Sequence, residues 1–228
     1  MIIDKASVGR TIDSANDALA EGQPIADDEK AKVASWLLGR QVTAGRNIGA
    51  FEPTTADLRD GAHLYTGERL RTKLATRNVL SAEAARLLVL FGQDDPAVRE
   101  GVERAVSWLN VACFVRDDCA IGECAHSFVS HMRFTSVLEP GSPSLVRRVG
   151  VIREHRDGKG RWERFPFYYT VLLLTELIGE AARSELRYAV PACERALTKG
   201  AQNKAYQARR RGLLERVIAL DESPGGAR

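Results

Sequence analysis

Three apolar stretches recur along this chain at a spacing that suits helix pairs. "SAEAARLLVLFG" begins at Ser81, "GECAHSFVSHMRFTSVL" at Gly122 and "PFYYTVLLLTELIG" at Pro166, steps of 41 and then 44 residues. More amphipathic segments run between them. "KVASWLLGRQ" (32–41) and "RAVSWLNVAC" (104–113) share an Ala/Val-Ser-Trp-Leu core. "SLVRRVGVIREHRDGKGRW" (144–162) opens in the same way, then turns through glycine and basic residues to a tryptophan. A single pair of helices of this length cannot bury both of its faces, so stacked pairs must supply the core.

Local signals agree with helices. Asp94-Asp95-Pro96 predicts a helix start, with an acidic cap and proline at the first helical position. Val98, Val102, Ala105, Val106 and Leu109 then keep helical spacing. Ser81 reads as the residue before a helix whose stripe is Ala84, Leu87, Leu88 and Phe91, ended by Gly92. The segment from Pro166 to Gly179 is apolar on almost every side, which predicts a buried helix. Strand signals are few, although Asp157-Gly158 would suit a hairpin turn. The expectation is an all-α chain with one domain over 1–228, an irregular insertion at 52–80 and a disordered tail at 221–228.

Composition narrows the function classes. With 228 residues, 44% of them hydrophobic, the chain can bury a sizeable core. Net charge is only +3, and 30 acids are interspersed among 33 bases. That balance gives no strongly basic footprint. The longest apolar run, Val171-Leu172-Leu173-Leu174, is bounded by Thr175 and Glu176 and is too short to cross a bilayer. "MIIDKASVGR" lacks the charged start and apolar stretch of a signal peptide, so the expected location is cytoplasmic. Cys113, Cys119, Cys124 and Cys193 are then expected to be reduced. There is no Walker loop, Rossmann fingerprint, Gly-x-Ser-x-Gly or HExxH.

The pattern of an outer helix with Trp-Leu, a loop with glycine and an aromatic, and a more apolar inner helix resembles the α/α-toroid repeats of protein prenyltransferase β subunits and squalene/terpene cyclases. The matching segments are 26–51, 81–113, 122–162 and 166–197. The resemblance implies a toroid-like stack of about four helix pairs, an incomplete ring beside the family's usual six or so. In prenyltransferases an Asp-x-Cys pair and a later histidine hold zinc. Asp117-Asp118-Cys119 reproduces the first motif, while Tyr169 of "FYYT" stands where the histidine would be. In cyclases the middle acid of Asp-x-Asp-Asp protonates the substrate. Val115-Arg116-Asp117-Asp118 keeps only the last two acids, beside an arginine that favours their anions.

The densest cluster of reactive side chains is "DDCAIGECAHSFVSH", residues 117–131. Asp117, Cys119, Cys124, His126 and His131 are the candidate metal ligands, with zinc as the possible ion, and Asp117 and Asp118 are the candidate catalytic acids. Geometry opposes one compact site from this segment alone. On a helix, Cys124 and His131 lie about 10 Å apart along the axis. No metal is therefore favoured. Asp117 or Asp118 is expected to cap the helix that follows, and Cys113, Cys124 and Cys193 to behave as small buried hydrophobes.

The favoured function is a module whose concave face binds a small apolar molecule or a partner protein. Phe167, Tyr168, Tyr169, His126 and His131 are its candidate binding residues. The first alternative is a transferase- or cyclase-like enzyme acting on an isoprenoid-like hydrophobic substrate, with or without a metal. The second is a nucleic-acid binder using Arg209-Arg210-Arg211, whose default reading is a solvated helix face. His63 and His155 show no partner spacing and are expected to be exposed. From the family geometry, Cys119 and Tyr169 are expected at one mouth of the stack, with the Tyr169 hydroxyl on Asp117.

Overall fold

The computed structural model describes residues 2–22, 24–92, 94–199 and 206–222. They form eleven helices: α1 (Val8–Ala20), α2 (Asp27–Leu38), α3 (Thr55–Asp60), α4 (Lys73–Gly92), α5 (Pro96–Asn110), α6 (Cys113–Arg116), α7 (Cys124–Leu138), α8 (Pro143–Arg153), α9 (Phe167–Glu176), α10 (Glu180–Lys199) and α11 (Gln207–Glu222). No strand is present among the described residues. Three isolated bridges, Gln41 with Phe51, His63 with Arg69 and Arg156 with Trp162, close short loops. The chain is all-α. Of the expected tail, residues 223–228 lie outside the described residues, while 221 and 222 end α11.

The axis of the core is α4 against α7, with α9 also packed on α7. Along the middle of α4, Ala82, Ala84, Ala85, Leu87 and Leu88 are all fully buried, so this stretch has no solvent face to be amphipathic about. Around these three lie helices with a single apolar stripe. In α5 the buried residues are Val98, Gly101, Val102, Ala105 and Leu109, the expected spacing. Its start is also as expected, because Asp95 accepts a hydrogen bond from the Ala97 amide and Pro96 follows. The loop after α2 lies so close to α5 that a Cβ on Gly49, whose φ is +93°, would stand 2.1 Å from the Arg104 carbonyl oxygen. Only glycine fits there.

Region 52–80 holds α3, the bridged loop 63–69 and the first turns of α4. It also supplies carboxylates to helix starts. Asp57 accepts from the Val8 and Gly9 amides at 3.2 and 3.1 Å, at the beginning of α1, and closes a capping box with Thr54. Glu68 accepts from the Tyr169 amide at 3.1 Å, at the beginning of α9. A third carboxylate, Glu123 from the loop before α7, accepts from the Arg71 and Thr72 amides just ahead of α4. Each acid meets donors that a helix cannot satisfy within itself, at the end where the dipole favours negative charge.

The interior between α4, α7 and α9 is charged. Arg133, fully buried, donates to both oxygens of Glu83 at 2.9 Å and to Glu176 at 2.7 and 2.8 Å. Tyr169 donates its hydroxyl proton to Glu83. Arg86 joins Glu176 to Asn16 of α1, at 3.3 and 2.9 Å. Burial works against charge on Arg133, but the carboxylates of Glu176 and Glu83 outweigh it and raise its pKa. Burial likewise opposes charge on Glu176, yet Arg133 and Arg86 hold its pKa below the ordinary value. Two acids and two arginines thus balance within one network.

A candidate metal centre of three cysteines

Cys113, Cys119 and Cys124 bring their sulfurs to within 4.8 Å of one another, and the Cys113 and Cys124 sulfurs stand 3.7 Å apart. Local folding explains the convergence. Cys113 opens the single-turn helix α6, which reverses the chain so that the Cys119 amide reaches back to the Cys113 carbonyl at 3.3 Å. Asp118 makes the turn with φ +49°, the one positive φ outside glycine among the described residues. Aspartate tolerates this conformation better than most side chains. Cys124 is the first residue of α7.

Buried Arg148 of α8 holds this loop. It donates to the Phe114 carbonyl at 2.7 Å and to Nδ1 of His131 at 2.7 Å, and its Nε faces the Asp118 carboxylate at 3.2 Å. Arg147 closes on the other side of Asp118. Burial lowers the Arg148 pKa to about 10, with Asp118 partly opposing the fall. One arginine therefore ties the Cys113–Cys119 turn to both α7 and α8. Burial and the neighbouring Cys113 and Cys119 thiols push the Cys124 thiol up to about 12.

Several sequence expectations need correction here. Cys113 is not a buried hydrophobe but exposed, and Cys124 is half-buried; only Cys193 is fully enclosed. Neither Asp117 nor Asp118 caps α7. Asp117 pairs with Arg116 at the surface at 2.7 Å, and Asp118 with Arg147 and Arg148. Among the candidate ligands, only Cys119 and Cys124 enter the cluster, while Asp117, His126 and His131 stay outside it. Tyr169 does not meet Asp117. Its hydroxyl lies in the core on Glu83, with Ser130 at 3.4 Å.

The other candidates are equally scattered. Phe167 is buried, in edge contact with Tyr168, and Tyr168 carries the guanidinium of Arg210 on its ring at 4.3 Å. Arg209 is not solvated but lies between α1 and Tyr65, bonded to Asp17 at 2.5 and 2.7 Å; Arg211 pairs with Glu215 at 2.8 Å. Neither His63 nor His155 is fully exposed. His63 packs on Tyr206 and His155 on Phe165. His126 borders a cleft of about 1320 Å³ at the N-terminal ends of α4 and α7, and its buried Nδ1 has no hydrogen-bond partner. Burial lowers the His126 pKa. The cleft wall is mixed, with Leu58, Ala62 and Leu70 beside the charged Glu68, Arg69, Arg71, Lys73 and Arg164.

Cys113 is the site residue that sequence reasoning missed. Counted from it, the spacing is Cys-x5-Cys-x4-Cys, a signal that becomes visible once α6 is recognised as a reversal. No helix among the described residues is long and apolar enough to cross a membrane. In comparisons with protein-family models, with curated proteins and with solved structures, no match to this chain is found.

Proposed function

We propose that this chain is a helical binding module built around a thiolate metal centre, with Cys113, Cys119 and Cys124 as ligands and zinc as the ion of first choice. The convergence of the three sulfurs carries the reading. Metal–sulfur bonds of about 2.3 Å in a tetrahedron set sulfurs about 3.8 Å apart, and Cys113 and Cys124 are at 3.7 Å. Three thiolates favour zinc or a softer ion over magnesium or calcium. A bound ion would supply the positive charge that stabilises the thiolates and act as a Lewis acid. The chain's own part is to aim the sulfurs, through the α6 reversal and the Arg148–Asp118 clamp.

For the scaffold we propose an open α/α stack in line with the toroid resemblance, with α4, α7 and α9 inside and α5, α8 and α10 outside. The succession of outer helix, loop and inner helix supports it, as does the packing of α4 on α7 and of α7 on α9.

Metal analysis of protein purified without chelator tests the centre. About one zinc per chain is expected, falling below about 0.2 when any one of the three cysteines becomes serine, since such a site retains its ion tightly. Cys193→Ser should keep the metal. A parent protein that takes up neither zinc nor cobalt would sink the reading, and so would equal loss in Cys193→Ser.

The unpartnered Nδ1 of His126 favours a second reading for the cleft, a ligand that is polar and anionic rather than apolar. Arg69, Arg71, Lys73 and Arg164 line the same wall, while three of its carboxylates, Asp57, Glu68 and Glu123, are already taken up by backbone amides. Titration with inorganic tripolyphosphate should move the His126 ring nitrogen resonances. No movement up to about 10 mM, beyond the range of meaningful affinity, would remove it.

A further inference from the structure

The three-thiol centre lacks a fourth ligand, and its surroundings indicate where one comes from. No histidine, aspartate or glutamate of the described residues joins the sulfur cluster. Cys113 faces solvent, and three large apolar side chains stand exposed beside the centre. Val111, two residues before Cys113, is 73% exposed, and Ile121, between Cys119 and Cys124, is 71% exposed. Leu74 of α4, 60% exposed, lines a recess of about 210 Å³ together with Ile121 and Cys124. Isolated apolar residues on a surface need no explanation, but three around an incomplete ligand set mark a contact face. The charges near this face come in pairs of both signs, Arg116 with Asp117 and Arg147 with Asp118. Such a rim does not repel its own image, because a twofold axis can set each sign against the other.

We propose that this face pairs with a second copy of the chain when metal is bound, and that the exposed Cys113 thiolate of each copy bridges both ions. The inference rests on the thiolate-centre reading above. Its stoichiometry closes. Each ion takes Cys119 and Cys124 from one chain as terminal ligands and the two Cys113 thiolates as bridges, four sulfurs in all, as tetrahedral zinc requires. Six thiolates serve two ions, and no outside ligand is left to find. Burial of Val111 and Ile121 against their counterparts removes apolar surface from water at the same contact. The most exposed of the three cysteines is the one assigned to the shared position.

Light scattering on the full chain tests the proposal, with and without one equivalent of zinc per chain after chelator treatment. The expected result is a 25.1 kDa monomer without metal and a particle of twice that mass with zinc, the dimer constant tightening at least about a hundredfold by linkage. The double substitution Val111→Glu and Ile121→Glu changes two exposed positions. It should keep the monomer's circular dichroism and the sulfur-to-cobalt absorption yet stay monomeric at the same concentration. A zinc-loaded parent that remains a monomer overturns the dimer and leaves the metal centre standing. A dimer that forms equally well without metal also overturns it. Failure to bind zinc or cobalt at all removes the centre and this inference together.

Discussion

Arg148 donates to Nδ1 of His131 at 2.7 Å, so this histidine accepts on that nitrogen and is neutral, with its proton on Nε2. Burial, helped by the Arg148 charge, lowers its pKa to about 3. The unfolded chain protonates His131 near the ordinary imidazole value of 6.5, while the folded chain does not. Its contribution to stability is therefore present above about 6.5 and is lost as pH falls toward about 3. His131→Asn should flatten this part of the profile. Urea denaturation of parent and variant at a series of pH values checks it, the difference between them being the quantity to plot.

Arg133 offers a sharper contrast within one network. Arg133→Met leaves the Glu83 and Glu176 carboxylates without their main partner and should cost about 3–5 kcal/mol. Tyr169→Phe removes one hydrogen bond to a charged acceptor and should cost about 1–3 kcal/mol. Chemical denaturation of both variants measures the ratio. Equal losses would mean that the arginine is not the hub that its geometry implies.

A second pH effect has the opposite sign. Burial raises the Asp13 carboxyl to about 7, with Arg209 opposing and Asp17 adding to the rise. His63 stands 3.9 Å away. The folded chain thus keeps a proton on Asp13 that the unfolded chain releases near 4. Stability from this group is fully present below about 4 and is lost as pH rises through about 7. In Asp13→Asn the fall in stability between those values should shrink, as read from melting temperatures at matched ionic strength.

The thiols make a prediction that does not depend on metal. Mild oxidation should join Cys113 to Cys124, whose sulfurs are 3.7 Å apart, before it touches buried Cys193. Peptide mapping and a thiol count falling from four to two would show this; a bond involving Cys193 would contradict the structure. Bound zinc should slow the reaction, because the thiolates are then occupied.

Much of the helical plan can be read from local chemistry, and most of the site cannot. Asp95-Pro96 marks the start of α5 because the cap and the fixed proline φ act within four residues. Ser81 misleads for a related reason. A serine ahead of an apolar run looks like a cap, but α4 already begins at Lys73, behind Thr72, whose hydroxyl accepts from the Ala75 amide at 3.2 Å. Buried in the middle of α4, the Ser81 hydroxyl accepts from the Phe51 amide at 2.9 Å. Gly179 likewise lies three residues beyond the end of α9 at Glu176. Cys113 was hidden because its role depends on a single turn of helix and on Arg148, 35 positions away. Tyr169 looked like a rim residue by analogy, and only the positions of Glu83 and Arg133 show that it belongs to the core.

The carboxylates at the helix starts also bear on how the chain acquires its fold. Asp57 reaches the start of α1 across 50 residues, Glu123 the start of α4 across 52, and Glu68 the start of α9 across 101. None of these contacts is local, and each must close a long loop before it contributes. During synthesis, a chain released only as far as residue 166 would carry Glu68 with its Tyr169 partner still missing. The bodies of α1, α4 and α9 can form early from their own sequences. Their first turns should be the last parts to become protected from solvent exchange, in the order set by those separations.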